Sequence, residues 1–514
     1  MTARAPPRGV IYGGLPPAGA LATRRLVQFL PTTDATYKFS GQNVFTIPIN
    51  GPFWLDAKES YLSFDIEVKG ASAATAGTNQ CPAVFMNSSA HNVFNQLEIL
   101  GPSENRIETI ANYNQVACAI HDARAGGEDD LASAGKGCGL IARRAGIESS
   151  DFLTNQKKQC VAKPFNSPTS GVVGDTTAEL TVVTQGKTSE ISEGHVFQTA
   201  ATAGATTVTD ASGIGSTMRV TLKLCSGVLN TDKFIPLISM VGKGLQLRFQ
   251  LENPSVALSA PAGDATTQAN DYRAMTELDY QLTNVRYFAS VVSMDDAINR
   301  QFLDILSSQQ LVQAHTESYL YSMRPLTVAA DTSESLFNIN ARSLNALIAW
   351  QTPTDAVSSI SQDGIGFRFR DGVDSFQFRV NGVNYPESRV ELTAGTSDIS
   401  LKSVYGCSRA LQEWRKAWGV YPYADKASRN TAASFGVNGF YMAQSLKAYP
   451  HDFSVIESGI DTATSATPIY FSVTRKSRAN YYNTSFVTGL NVCMLGLCDM
   501  IVSYQFNGTA VASV

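Results

Sequence analysis

The stretch Phe376 to Leu392, FQFRVNGVNYPESRVEL, decides how the chain is read. Phe376, Phe378 and Val380 alternate with Gln377 and Arg379, the two-residue period of a strand buried on one face. Asn381-Gly382 follows, the pair that most readily takes the positive φ angles of a tight type I′ turn. A second alternating arm, Arg389 to Leu392, comes after Tyr385-Pro386. Pro386 has no N–H to give a ladder, so it suits a bulge or an edge strand. The sequence therefore predicts a β-hairpin with Asn381, Gly382, Tyr385 and Pro386 as its structural residues, and with no chemistry of its own.

Outward from the hairpin, the same signal recurs. Tyr61 to Val68 alternates, as do Arg219 to Leu224 and Leu245 to Leu251; Asn43 to Ile47 and Tyr280 to Ser290 read as further strands. Phe94 to Leu100 leads through Gly101-Pro102-Ser103 to Arg106 to Ile110, a strand–turn–strand unit followed by a helical pattern at Tyr113, Val116 and Ile120. In the second half strands are expected at Val312 to Tyr321, Leu336 to Asn340, Leu344 to Trp350 and Gly366 to Arg370. The hairpin follows, then a helix with Val404, Leu411, Trp414 and Trp418 on one face. Phe440 to Leu446, Pro468 to Thr474, Ser485 to Cys493 and Met500 to Phe506 close the chain as strands.

The two halves share an order of signals. Gln96 to Ile110 and its helix correspond to Phe376 to Leu392 and its helix, Leu245–Leu251 to Ile469–Arg475, and Tyr280–Phe288 to Met500–Phe506. Residue identity between them is slight, so the repeat is one of pattern. The fold class expected is all-β: two consecutive eight-stranded jelly rolls with short helices between strands. Boundaries follow: a basic arm over 1–26, a first jelly roll over 27–294 with a long loop insertion at about 125–216, a linker helix over 295–308 and a second jelly roll over 309–514. The linker helix is read from Asp295 and Asp296 as caps and from a stripe of Ile298, Phe302, Ile305 and Leu306.

Composition agrees with an ordered β-rich chain. At 514 residues it exceeds the size at which one hydrophobic core stops growing. It is 44% hydrophobic and only 16% charged, so neutral loops replace the usual charged surface. A net charge of -4 argues against wholesale coating of nucleic acid. The N-terminal arm is the exception: Arg4, Arg8, Arg24 and Arg25 stand among Pro and Gly with no acidic residue. It reads as an extended arm that contacts a neighbouring subunit or an enclosed polyanion, or as a loose terminus. The first residues lack the apolar core of a secretory signal, and no run of 18 uncharged apolar residues predicts a membrane span.

Searches for chemistry return little. The eight cysteines (81, 118, 138, 160, 225, 407, 493 and 498) are scattered, with no CxxC pair, and read as free buried thiols. His91, His121, His195, His315 and His451 form no HExxH pattern, so spacing gives a metal centre no support. No GxSxG elbow or phosphate-binding loop is present. Glu128-Asp129-Asp130 could hold calcium but reads first as a solvated loop, and Arg475, Lys476 and Arg478 beside Tyr481 and Tyr482 mix charge with aromatics as a single-strand binder would, but read first as a subunit contact or exposed loop. No catalytic residue, cofactor or metal is assigned.

Phe378-Arg379-Val380-Asn381-Gly382-Val383-Asn384-Tyr385-Pro386-Glu387 resembles the second-domain hairpin of viral double jelly-roll major capsid proteins, and Ala341 to Leu347 resembles the strand before it. The likeness is to the capsid proteins of Polinton-like viruses and virophages, with adenovirus hexon and those of the large DNA viruses more distant. The resemblance implies a non-enzymatic building block located in the virion and assembled in the host nucleus or cytoplasm. It implies a homotrimeric, pseudo-hexagonal capsomer of an icosahedral shell around double-stranded DNA. Its partners would be neighbouring capsomers, a penton and minor capsid proteins, with Arg4, Arg8, Arg24 and Arg25 as candidates for inner-surface, neighbour or non-specific DNA contacts. A carbohydrate-binding or fibre-like adhesive β-sandwich is the alternative, and a cupin-type enzyme lacks grouped His/Glu ligands.

Overall fold

The computed structural model describes residues 22–33, 35–72, 83–86, 89–124, 196–198, 217–240, 242–259, 275–308, 312–326, 332–354, 365, 368, 373–392, 407–419, 439–449, 458–464, 468–475, 490–505 and 510–513. The first half is built on two antiparallel sheets. One orders its strands β1 (Ala22–Phe29), β13 (Met275–Met294), β4 (Trp54–Ser72) and β10 (Ile235–Pro236), with β2 (Tyr37–Lys38) on β13 and β9 (Thr217–Leu222) on β4. The other orders β3 (Val44–Ile49), β11 (Leu245–Leu251), β6 (Phe94–Leu100) and β7 (Arg106–Ala111). Three short strands, β5 (Ala83–Met86), β8 (Val196–Gln198) and β12 (Leu258–Ser259), form a small separate sheet.

Alternation explains how the two large sheets face one another. Phe45, Ile47 and Ile49 of β3 and Leu245, Leu247, Phe249 and Leu251 of β11 are buried, and Arg248 between them is exposed. Phe45 stacks on Phe249 at 5.0 Å, and Phe94 meets Phe249 at the same distance. Phe64 of the first sheet then meets Phe94 of the second edge-on at 5.6 Å, which closes the sandwich.

The second half repeats this topology. Strands β14 (Val312–Leu326), β21 (Leu490–Tyr504), β16 (Leu344–Pro353) and β19 (Met442–Ser445) form one sheet, with β22 (Ala510–Ser513) on β21. Strands β15 (Thr332–Phe337), β20 (Ile469–Arg475), β17 (Val373–Val380) and β18 (Val383–Glu391) form the other. β11 and β20, β6 and β17, β7 and β18, and β13 and β21 occupy equivalent places, as the order of sequence signals implies. The chain is a double jelly roll. β21 carries an almost unbroken apolar run, Val492 to Leu497, because it is the central strand of a sheet covered on both faces.

The hairpin that opened the reading is β17–β18. Val380 pairs with Val383 across a two-residue turn in which Asn381 (φ 50°) and Gly382 (φ 77°) are both left-handed. β18 is the edge strand of its sheet. The register slips between Phe376 and Phe378, leaving Pro386 to Arg389 opposite Gln377 alone. The Gln377 amide fills the slip by donating to the carbonyls of Pro386 (2.9 Å) and Glu387 (3.0 Å). Phe376, Phe378 and Val390 are fully buried, and Arg379 on the outer face pairs with Glu334 at 2.9 Å.

Among the described residues, three helices of ten residues or more complete the frame: α1 (Tyr113–Arg124), α2 (Asp296–Ser307) and α3 (Ser408–Ala417). α2 joins the halves, capped by the Asp295 side chain. Its apolar stripe is narrower than expected, because Ile305 stands exposed and Ile298, Phe302 and Leu306 follow a four-residue step. Phe302 packs edge-on against Trp54 at 4.5 Å, and the Trp54 indole N–H donates to Asn299 Oδ1 at 3.0 Å. The expected arm over 1–26 needs correction at its end. Ala22–Phe29 is a paired strand, in register with Tyr287 to Met294. Arg24 bonds Ser290 (2.7 Å) and Asp56 (2.9 Å), and Arg25 lies over the Phe53 ring at 5.8 Å. Cross-strand partners far along the chain override the local basic, Pro/Gly-rich signal. Arg4 and Arg8, the Glu128 to Asp130 cluster and Lys476 to Tyr482 lie outside the described residues, as does the 125–216 loop apart from β8.

Gly382 has open space where a side chain would go, so only its left-handed backbone resists substitution. Gly382→Val should therefore cost ~1 kcal/mol or more, whereas Gly382→Asn should be nearly neutral. Urea unfolding of the two variants checks this; equal midpoints would show that the turn does not depend on a left-handed residue.

Candidate functional site: the junction between the jelly rolls

A single hydrophobic core runs through both halves, and buried polar groups stitch the join. The Glu108 carboxylate on β7 holds the turn Cys225 to Val228. It accepts from the Ser226 hydroxyl (2.5 Å) and from the backbone N–H groups of Gly227 (3.0 Å) and Val228 (3.2 Å). Burial raises the Glu108 pKa, and these three donors work against that rise. The Gly227 carbonyl then accepts from the Thr316 hydroxyl of β14 at 2.5 Å, which is the crossing point from one roll to the other.

Gly227 is required here for space. Its φ is an ordinary −65°, but a Cβ would stand 1.5 Å from the Glu317 carbonyl oxygen of β14. The Glu317 side chain turns back to the first roll and pairs with Arg124 at the end of α1, at 2.7 Å. Arg124 also lies over the Trp418 ring at 5.2 Å, just past α3.

The rest of α1 makes the same crossing. Tyr441 donates its phenol proton to Asp122 at 2.5 Å, and Arg368 donates to Gln115 at 2.9 Å. Arg368 is wholly buried, with its guanidinium 4.7 Å from the Trp350 ring centre and 5.9 Å from that of Tyr441. Gln115, Asp122 and Arg124 thus hold three separate points of the second roll. Sequence reading gave α1 its apolar stripe but not this role, because the partners lie 253, 319 and 193 residues away.

Two clusters bear on chemistry. The first joins a Ser, a His and an Asp, which sequence spacing could not assemble. Asp499 accepts from Ser343 (2.6 Å), Asn345 (2.8 Å) and His315 (3.0 Å). The wiring is not that of a hydrolase. A nucleophilic serine needs an imidazole as its base, whereas here the carboxylate lies between serine and imidazole. Ser343 is buried and also accepts from the Gly459 N–H at 3.0 Å. The cluster locks the register of β14, β21 and the segment entering β16. The second cluster brings His91, His121 and Cys225 together, with one donor atom from each within 4.8 Å of the others. These three residues are the ones among the described residues that could hold a metal.

The hairpin residues Asn381, Gly382, Tyr385 and Pro386 lie on an outer edge and share no site with the junction. Arg24 and Arg25 are engaged within their own chain. No helix of the described residues is long and apolar enough to cross a membrane.

The architecture is that of viral double jelly-roll capsid proteins. No protein-family model matches the sequence, and no curated protein does. Solved structures do. The Faustovirus major capsid protein aligns over 96% of this chain and 92% of its own, with a TM-score of 0.54 and 9% identity. A chain of the Sputnik virophage aligns over 100% and 93%, at 0.53 and 11%. PBCV-1 VP54, fitted into a reconstruction of the virophage Sputnik, aligns over 98% and 99%, at 0.50 and 12%. At these identities the likeness is one of fold, and it takes in both jelly rolls.

Gly227→Ala should cost about 3 kcal/mol or more, since the overlapping atom is backbone that cannot rotate away. Differential scanning calorimetry checks it; a near-neutral variant would mean that the rolls are not in contact at this turn. A second expectation concerns pH. Burial alone would raise the Asp499 pKa, but the bonds from Ser343, Asn345 and His315 outweigh it and hold the carboxyl below its ordinary value. A depressed folded pKa stabilises fully above the unfolded value of about 3.9 and is lost as pH falls through the folded one. Asp499→Asn should cost ~2–3 kcal/mol near pH 7 and should flatten the loss of stability in acid. Urea midpoints at pH 7 and pH 3 test this, and parallel pH profiles for the two proteins would refute it.

Proposed function

We propose that this chain is a viral major capsid protein, a non-enzymatic subunit of an icosahedral shell around double-stranded DNA. The observation that carries the reading is the pairing of two jelly rolls with the same strand order, matched across both rolls by the Faustovirus capsid protein. Three such chains present six similar rolls, which is how a trimer can fill a hexagonal position. The polar lock between the rolls serves this arrangement, because a capsomer needs its two halves at a fixed spacing.

Exposed edges supply the contacts such an assembly needs. β1 is an edge strand, with Leu26 within it and Leu30 just past its end both more than half exposed, and β18 presents Val383 at the tip of its hairpin. Unpaired edges with apolar side chains favour association unless something covers them; neighbouring capsomers, a penton or minor capsid proteins would do so. With Arg24 and Arg25 engaged in their own sheet, contact with DNA or a neighbour falls to Arg4 and Arg8. The protein would reside in the virion, after assembly in the host nucleus or cytoplasm. The adhesive reading needs aromatic platforms on the surface; among the described residues Tyr37, Tyr113, Tyr280, Tyr287, Tyr319, Tyr441 and Tyr504 are buried, and the exposed aromatics are Phe39, Phe234 and Tyr449.

Size-exclusion chromatography with light scattering on the purified chain should give a particle of three chains, and micrographs should show three-fold capsomers. A monomer at every concentration that binds a glycan array would instead favour the adhesive protein.

A further inference from the structure

We propose that His91, His121 and Cys225 hold a zinc ion inside the first jelly roll. The three residues come from separate segments: a short turn of helix, Ala90–Val93, before β6; the last turn of α1; and the turn after β9. Two imidazoles and a thiol make a nitrogen–sulfur donor set, which zinc takes in tetrahedral geometry with bonds of about 2.0–2.1 Å to nitrogen and 2.3 Å to sulfur. Those bond lengths put a nitrogen and a sulfur on one zinc roughly 3.6 Å apart. Cys225 Sγ and His121 Nε2 stand at 3.6 Å. All three donor atoms lie within 4.8 Å of one another, so the widest pair has at most roughly 1.4 Å to close to reach the nitrogen–nitrogen span of a tetrahedral site. His121, half-buried, is the least enclosed of the three.

The surroundings are those of a ligand set. Tyr113, fully buried, lies within hydrogen-bond reach of His91 Nδ1 (2.9 Å), and its hydroxyl accepts from the Cys225 backbone N–H (3.0 Å). If His91 donates Nδ1–H to this phenol, its Nε2 lone pair is left for the metal, and one neutral side chain orients two of the ligands. Coordination would release the Cys225 thiol proton to solvent as the zinc–sulfur bond forms, and a solvent molecule would take the fourth position of the tetrahedron.

Such a site would act on the junction. Cys225 opens the turn whose Gly227 abuts β14, and His121 precedes Asp122 and Arg124, which reach the second roll. Zinc would fix this turn to α1 at the point where both meet the other half. The inference does not depend on the capsid reading.

The test uses the full chain, stripped with chelator and titrated with cobalt(II) and zinc. Expected are about one metal per chain, a thiolate-to-cobalt charge-transfer band with tetrahedral d–d bands, and displacement of cobalt by zinc. Cys225→Ser should abolish the charge-transfer band, and Tyr113→Phe should weaken affinity ~10–100-fold. If Cys225→Ser does not fold, His121→Gln, at a half-buried position, should lose the tetrahedral spectrum while keeping the circular dichroism of the parent. Wild-type protein that shows no charge-transfer band, or a band that survives in a folded Cys225→Ser or His121→Gln variant, overturns the site.

Discussion

The close approach of Gly227 to β14 is the constraint on which the arrangement of the molecule depends. Two β-sandwiches could meet in many ways if only apolar surface joined them, since hydrophobic contact has no direction. Here the backbone of one roll touches the backbone of the other with no room for a methyl group. Around that contact, Thr316, Arg124 and Glu317 each have a partner that exists only at this placement, and Glu108 holds the turn that carries Gly227. A buried donor or acceptor left unpaired costs ~1–3 kcal/mol, so a small slide of one roll on the other would forfeit several such bonds together. The junction is polar where it specifies position and apolar where it only excludes water.

Local signals made the strands legible, and distance along the chain hid the rest. The β17–β18 hairpin is set by neighbours: alternating Phe376, Phe378 and Val380, then Asn381-Gly382 at a turn that requires left-handed backbone. The repeat was readable for the same reason, because alternation and turn chemistry recur even where residues do not. β1 was missed because nothing inside Ala22–Phe29 announces a strand. Its pairing comes from Tyr287 to Met294, over 250 residues away, and its arginines are satisfied by Asp56 and Phe53. The junction and the His91 cluster were invisible on the same grounds. Residues 91, 121 and 225 are unremarkable by spacing, and only the sandwich closes the distance between them.

The two halves also show how little sequence the shared topology demands. The β6–β7 turn closes with Gly101 to Asn105, where Glu104 takes the left-handed conformation, while the equivalent β17–β18 turn uses two residues. The first roll packs Phe45, Phe94 and Phe249 at its centre; the second packs Phe378 against Phe471 and seats Trp350 on its other sheet. Sheet order depends on which face of each strand is apolar and on how far each connection reaches. Side-chain identity then fills the space.

Buried polar clusters in such a protein need to be told apart by their wiring. At Asp499 three donors from neighbouring segments point at one carboxylate, so the charge is answered and the serine, committed to that carboxylate, has no base to activate it. That is a register lock, and its chemistry ends there. At His91, His121 and Cys225 the atoms that converge are lone-pair donors, and the one hydroxyl beside them is engaged by the ring of His91 and the backbone of Cys225. Burial, and then the neighbouring His121, disfavour a charged His91 ring. The donor set is favourable for a cation that prefers nitrogen and sulfur. The first cluster is complete as the chain supplies it, whereas in the second a hydrogen bond between Cys225 and His121 spans the place that the proposed zinc would take.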